Sequence, residues 1–270
     1  MNFQYKVILI NLDKDRDRLN FMENQLHKLG IKFDRFSAIH GKNHLMNNFK
    51  IYNPQLSIEK FGRELTAGEF GCALSHNICY KNFLEKEEYK DTKYLLILED
   101  DIILDKDFKN ILEREIDKNE NKPKWDYLQF NYYDIYKISL IFSLFIKKFK
   151  WNYVIFSKTK NLKLKVINFF KIFISPFFSL FTDIRMYFLS KKGGIYKPFP
   201  KNLVLTGAYI IKKEIAIDLY NINKNIIYPA DIVTSVEICK YKKYKFGFYT
   251  PLIAKQREDI LSSIDSMGKR

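Results

Sequence analysis

Lys6 to Leu12 (KVILINL) is a continuous apolar run of strand length, and Leu19, Met22, Leu26 and Leu29 then recur at helical spacing before Gly30. Ile31 to Ala38 (IKFDRFSA) alternates as a second strand, so the chain opens on a βαβ unit and a parallel sheet. A polar stretch continues through Glu64. Thr66-Ala67-Gly68-Glu69 then has the form of a capping box, and Phe70, Leu74 and Ile78 carry one helical face, predicting a helix from Ala67 to Glu87. Tyr94 to Leu98 (YLLIL) is wholly apolar, as a strand buried on both faces must be, and it stops abruptly at Glu99-Asp100-Asp101.

Trp125 to Phe130 reads as another strand, Leu203 to Ile211 with Ala216 to Tyr220 as a strand and short helix, and Asp231 to Tyr241 as a further helix. Alternating strands and helices predict an α/β, doubly wound domain. Residues 135–200 break the pattern, dividing the chain into a first part of the core (1–134), an insertion (135–200) and the remainder of the core (201–270).

Composition sharpens this picture mainly through charge. The 270 residues include 44 aromatics, too much buriable area for a disordered chain, and 46 basic against 31 acidic residues give +15. Ile135 to Pro200 holds 13 Lys or Arg against the single Asp183, a net of +12, together with 17 aromatics. That mixture suits an anionic lipid surface; the alternative is an insertion that packs its aromatics inward or against a second subunit.

Cys72, Cys79 and Cys239 form no CxxC pair, and the first two lie too far apart along one helix for a disulfide. Val7 to Leu12 is too short and too soon interrupted by charge to be a secretory segment, and no apolar run reaches 18 residues. The expectation is a cytoplasmic protein peripheral to the inner face of the cytoplasmic membrane.

Candidate chemistry collects at strand ends. Three carboxylates, Glu99, Asp100 and Asp101, stand where open α/β sheets bind ligands, and hard divalent ions such as Mg²⁺ or Mn²⁺ take oxygen ligands of this kind. The other reading is a solvated strand end. Asn11-Leu12-Asp13-Lys14-Asp15-Arg16-Asp17-Arg18 leads into the first helix, where Arg16 and Arg18 oppose the helix dipole unless an anion such as phosphate lies between them. Ser75 and His76 follow a run of small residues that admits a ligand or a backbone. Asp231 suits either a helix N-cap or a general base.

Five segments in order resemble the family 25 glycosyltransferases: KVILINLDKDRDR with RFSAIHG, LTAGEFGCALSH, LLILEDDIIL, LTGAYII, and YPAD with PLIAKQ. The resemblance implies a GT-A-type, mostly parallel sheet; the helical basic-aromatic insertion is larger than that family's pattern and departs from it. The resemblance also implies inverting transfer of a hexose, galactose before others, from a UDP-sugar to a lipooligosaccharide acceptor. On the matching positions, Glu99 and Asp101 would hold Mn²⁺ or Mg²⁺. Asn11, Arg16, Arg18, Ala38, Glu69, Ser75, His76 and Asp100 would line the donor site, and Asp231, with Asp126 as second choice, would be the catalytic base. No nucleic-acid partner is expected. A metal-dependent phosphohydrolase or nuclease and a nucleic-acid-binding protein are the rival classes; the latter leaves the acidic strand end unexplained.

Overall fold

The first strand, β1 (Tyr5–Asn11), has parallel neighbours on both sides, β2 (Asp34–Ser37) and β3 (Tyr94–Glu99). Its side chains alternate between two cores, as the pleat dictates. Val7 and Leu9 join Leu96 and Leu98 on one face, while Ile8 and Ile10 join Leu95 and Ile97 on the other. This double burial is why β1 and β3 read as unbroken apolar runs. The computed structural model describes residues 5–42, 51–132, 193–196 and 205–257.

Helix α1 (Arg16–Lys28) buries Met22 and Leu26 and yields to Gly30, whose φ of 62° is the left-handed conformation expected after a helix end. Within the stretch that reads as polar lies a further helix, α2 (Pro54–Phe61). Its signals are local: the Asn53 side chain caps Leu56 N–H, Pro54 occupies the first turn, and Gly62 follows at φ 94°.

Helix α3 (Ala67–Glu85) starts on the predicted capping box, with Thr66 Oγ1 accepting from Glu69 N–H at 3.2 Å and Glu69 Oε2 accepting from Thr66 N–H at 2.8 Å. Its small residues admit a backbone. A Cβ on Gly71 would stand 2.5 Å from Ile39 O and 2.8 Å from Gly41 N, so the segment after β2 crosses directly over the helix.

Strand β4 (Ile102–Leu104) and helix α4 (Phe108–Asn121) lead to β5 (Tyr127–Gln129). Strand β6 (Gly194–Tyr196) is followed by β7 (Ala208–Lys212) and α5 (Lys213–Ile222). The helix expected from Asp231 is broken into a single α-turn (Ala230–Ile232), a π-turn (Val233–Glu237) and a 3₁₀-turn (Ile238–Lys240). Thr234 and Ser235 hydroxyls donate to Asp231 O, at 3.3 and 2.5 Å, and compete for a carbonyl that a regular helix would use. Strands β8 (Phe246–Thr250) and β9 (Ala254–Gln256) follow.

The seven-stranded sheet has the order β2-β1-β3-β7-β5-β8-β6, while β4 and β9 form a separate antiparallel pair. Strand β7 is antiparallel to β3 and β5; β5 and β8 are parallel. On one face lie Met22 and Leu26 of α1 with Phe108, Leu112 and Ile116 of α4; on the other lie Tyr80 and Phe83 of α3 with Ile215 and Leu219 of α5. This is the mostly parallel, doubly covered α/β architecture expected from the alternation, and it is compatible with a GT-A-like fold.

The chain divides into two compact units, Met1–Tyr133 with Ile195–Arg270, and Asp134–Gly194. Apart from 193–196, the basic-aromatic insertion assigned to 135–200 lies outside the described residues.

Candidate active site

The first connection carries β2 to one side of β1 and the later one carries β3 to the other, which makes the carboxyl ends of β1 and β3 a point of diverging loops. A cleft of about 530 Å³ lies there. Asn11 ends β1, Glu99 ends β3, and Asp100 and Asp101 extend beyond it. Because β7 runs antiparallel, its start brings Thr206 and Gly207 to the same edge.

The three carboxylates have separate fates. Asp100 accepts from Asn11 Nδ2 at 2.7 Å and from Arg18 NH1 at 3.2 Å. Burial pushes its carboxyl above the ordinary range against the pull of Asn11 and Arg18. Glu99 Oε1 accepts from Thr206 Oγ1 at 2.5 Å and lies 3.1 Å from His76 Nε2. Burial there is outweighed by His76 and the Thr206 hydrogen bond, and the Glu99 carboxyl is held below the usual range.

Asp101 carries the electrostatic cost. Its Oδ2 accepts from Gln256 Nε2 at 3.0 Å, whereas its buried Oδ1 has no hydrogen-bond partner. Burial first, and then the charges of Glu99 and Asp100, push this carboxyl up to about 6. A buried, partnerless carboxylate oxygen beside two further carboxylates matches what a hard divalent cation requires, so the residues present fit Mn²⁺ or Mg²⁺ at Asp101.

Of the other expected residues, Ala38, Glu69, Ser75, His76 and Asp231 line the cleft with Asn11 and Arg18. Glu69 closes the capping box and is gripped by Arg63, with NH1–Oε2 at 2.8 Å and NH2–Oε1 at 2.6 Å. Ser75 Oγ accepts from Ile39 N–H at 2.9 Å and donates to Gly71 O at 2.7 Å, fastening the crossing segment to α3.

Asp231 is not an N-cap. Pro229 holds that position, and Asp231 Oδ1 accepts from Ile232 N–H at 2.8 Å. Burial raises its carboxyl above the ordinary range, and the charges of Glu69 and Glu99 add to the shift.

Two expected residues stand elsewhere. Arg16 is exposed on the first turn of α1 and does not line the cleft. Asp126 precedes β5, at the opposite end of that strand from the cleft residue Asn131, where it pairs with Lys212 Nζ at 3.0 Å and accepts from Lys245 N–H at 2.8 Å. Strand direction decides this: only the carboxyl end of β5 reaches the cleft.

Sequence reasoning missed Cys72, Thr206, Asn131 and Gln256 as lining residues. Thr206 and Gly207 stood in the LTGAYII segment, but only the antiparallel direction of β7 brings its start to this edge. Gln256 arrives through the β4–β9 pairing, for which the sequence carries no local signal.

Fold and site thus define an α/β protein with an acidic, arginine-bearing ligand cleft at the diverging ends of β1 and β3. Residues 4–234 match the family model described as Glycosyltransferase family 25 (LPS biosynthesis protein), and the chain belongs to that family. It is 32% identical over 128 residues to Procollagen galactosyltransferase 1-B of Xenopus laevis, covering 45% of this chain and 20% of that protein. It is 30% identical over 116 residues to Procollagen galactosyltransferase 2 of Homo sapiens, covering 42% and 18%. A Glycosyltransferase 25 family member of Drosophila pseudoobscura pseudoobscura is 28% identical over 130 residues, covering 46% and 20%. The matches span about a fifth of the length of these curated relatives.

Proposed function

We propose that the protein is an inverting glycosyltransferase that moves a hexose, galactose before others, from a UDP-sugar to a lipooligosaccharide acceptor. The observation that carries the reading is one cleft holding Arg18, the partnerless Asp101 Oδ1 and a separate carboxylate, Asp231, with a raised carboxyl. The description of the family as an LPS biosynthesis protein supports the acceptor class, and relatives named as galactosyltransferases support the sugar.

In this reading Asn11 and Ala38 lie on the nucleotide side, and Arg18, steadied by Asp100, faces the donor diphosphate with charge-assisted donors. Asp231 accepts the proton of the acceptor hydroxyl as the new glycosidic bond forms, the bond from the anomeric carbon to the diphosphate breaks, and UDP departs with inversion. Asp101 and Glu99 would hold Mn²⁺ or Mg²⁺, which supplies positive charge for the departing diphosphate. Glu69, Ser75 and His76 shape the wall on α3.

Peripheral membrane contact belongs to the basic-aromatic stretch and is supported by its charge of +12. Among the described residues no helix is long and apolar enough to cross a membrane.

The test is a panel of UDP-hexoses offered with and without lipooligosaccharide, with released UDP measured and the product linkage read by NMR. Acceptor-dependent UDP release and a β-linked product from an α-configured donor are expected. UDP release indifferent to acceptor would favour hydrolysis, and no turnover of any UDP-hexose would sink the reading.

A further inference from the structure

We propose that Cys72, His76 and Glu99 form a second metal site, selective for a thiophilic divalent ion such as Zn²⁺, that shares the Glu99 carboxylate with the all-oxygen site at Asp101. Cys72 and His76 are four residues apart on α3 and therefore share a face one turn apart, while Glu99 approaches from the end of β3. One donor atom from each lies within 4.8 Å of the other two.

The spacing of the nitrogen and oxygen donors suits a shared ion. With metal–nitrogen and metal–oxygen distances of roughly 2.05 Å, the 3.1 Å between His76 Nε2 and Glu99 Oε1 corresponds to an angle of about 98° at the metal, near the tetrahedral value. The two ligands that need orienting are already oriented. His76 Nδ1 lies 2.7 Å from Tyr209 Oη, which lies 2.5 Å from Tyr80 Oη, and Thr206 Oγ1 donates to Glu99 Oε1 at 2.5 Å. With Nε2 on the metal, Nδ1–H donates to Tyr209 and Tyr209 donates to Tyr80, which fixes the tautomer and the ring orientation of the histidine.

All three residues line the cleft, which leaves the fourth coordination position open to it. Donor softness separates this site from its neighbour: thiolate and imidazole favour Zn²⁺ and Co²⁺, whereas carboxylate oxygens suit Mg²⁺ and Mn²⁺. On binding, the Cys72 S–H proton passes to solvent, and the thiolate with the Glu99 carboxylate balances the dipositive ion.

Titrating metal-free protein with Co²⁺ tests the assignment without reference to transfer chemistry, so failure of the glycosyltransferase reading leaves this test standing. A thiolate-to-cobalt charge-transfer band, saturating at one ion per chain and erased by Zn²⁺, is expected. It should vanish in Cys72→Ser, persist in Cys239→Ser and Asp101→Ala, and require about 10–100-fold more Co²⁺ in Tyr209→Phe, where the histidine loses its orienting partner. No band in the wild type, or a band unchanged in Cys72→Ser, overturns the site. Should Cys72→Ser fail to fold, alkylation of the wild type mapped by mass spectrometry decides instead: zinc should protect Cys72 and leave the exposed Cys239 reactive. Equal labelling of Cys72 with and without zinc overturns the proposal.

Discussion

Asn11 and Asp100 are 89 residues apart in the chain and joined by a 2.7 Å hydrogen bond from Nδ2 to Oδ2. The parallel register that pairs Ile10 with Glu99 puts the next residue of each strand side by side. Asn11 is fully used: Nδ2 also donates to Asp15 O at 3.1 Å, and Oδ1 accepts from Arg35 Nε at 3.1 Å. One amide therefore ties the entry of α1, strand β2 and the acidic strand end together. Asn11→Ala leaves the buried Asp100 carboxylate with Arg18 alone, and a loss of about 1–3 kcal/mol of stability is expected. Urea unfolding should show a lower midpoint with an unchanged slope; a midpoint equal to wild type would mean that the link carries no load.

The carboxyl of Asp101 binds its proton more tightly in the folded protein, at about 6, than an ordinary aspartate near 3.9 does in the unfolded chain. Between about pH 4 and 6 the folded state therefore holds more proton, and stability falls as pH rises through that window and stays reduced above it. Asp101→Asn removes this penalty, on the order of 1–3 kcal/mol for a shift of that size. In EDTA the variant should melt several degrees higher than wild type at pH 7.5 and show no such gain at pH 4, while losing stabilisation by Mn²⁺ with UDP. A lower melting temperature at pH 7.5 contradicts the assignment of Asp101 as the residue bearing the uncompensated charge.

Asp231→Asn keeps an oxygen for the Ile232 N–H bond, and Pro229 rather than Asp231 stands at the N-cap position of the turn. Stability and UDP binding should be nearly unchanged, whereas turnover should drop at least about 10²-fold, the usual size of a general-base contribution. Rates near wild type would remove Asp231 from the base role.

The basic-aromatic stretch yields a prediction that rests on charge alone. Attraction of an anionic leaflet is worth on the order of 1 kcal/mol per nearby basic residue and is screened by salt. Neutralising Lys147, Lys148, Lys150, Lys191 and Lys192 together should weaken sedimentation with anionic vesicles while hydrolysis of UDP-sugar to water persists. Wild-type protein that ignores anionic lipid would return the stretch to an internal or oligomeric contact.

Local physics was legible where it is local. The unbroken apolar runs of β1 and β3 announced strands covered on both faces, the Thr66–Glu69 box located the start of α3, and the stop at Glu99 placed carboxylates at a ligand-binding edge. Helix α2 is also encoded locally, by Asn53, Pro54 and Gly62, within a stretch whose overall pattern is polar. The later elements α4, β8 and β9 lack comparable punctuation, and β8 in particular is defined by its partner β5.

What the residues by themselves determined is therefore the identity of the strands and the presence of an acidic edge, since periodicity and capping act within a few residues of the chain. Tertiary structure alone decided how the three acids differ: Asp100 is clasped by Asn11 and Arg18, Glu99 is held by Thr206 and His76, and Asp101 is left with a buried, partnerless oxygen. It also sent Asp126 to the opposite end of β5 and brought Cys72 to His76 and Glu99. The reason is physical: a carboxylate's charge and role depend on which donors lie within about 3 Å of it, and strand register and direction, not neighbouring residues, set those distances.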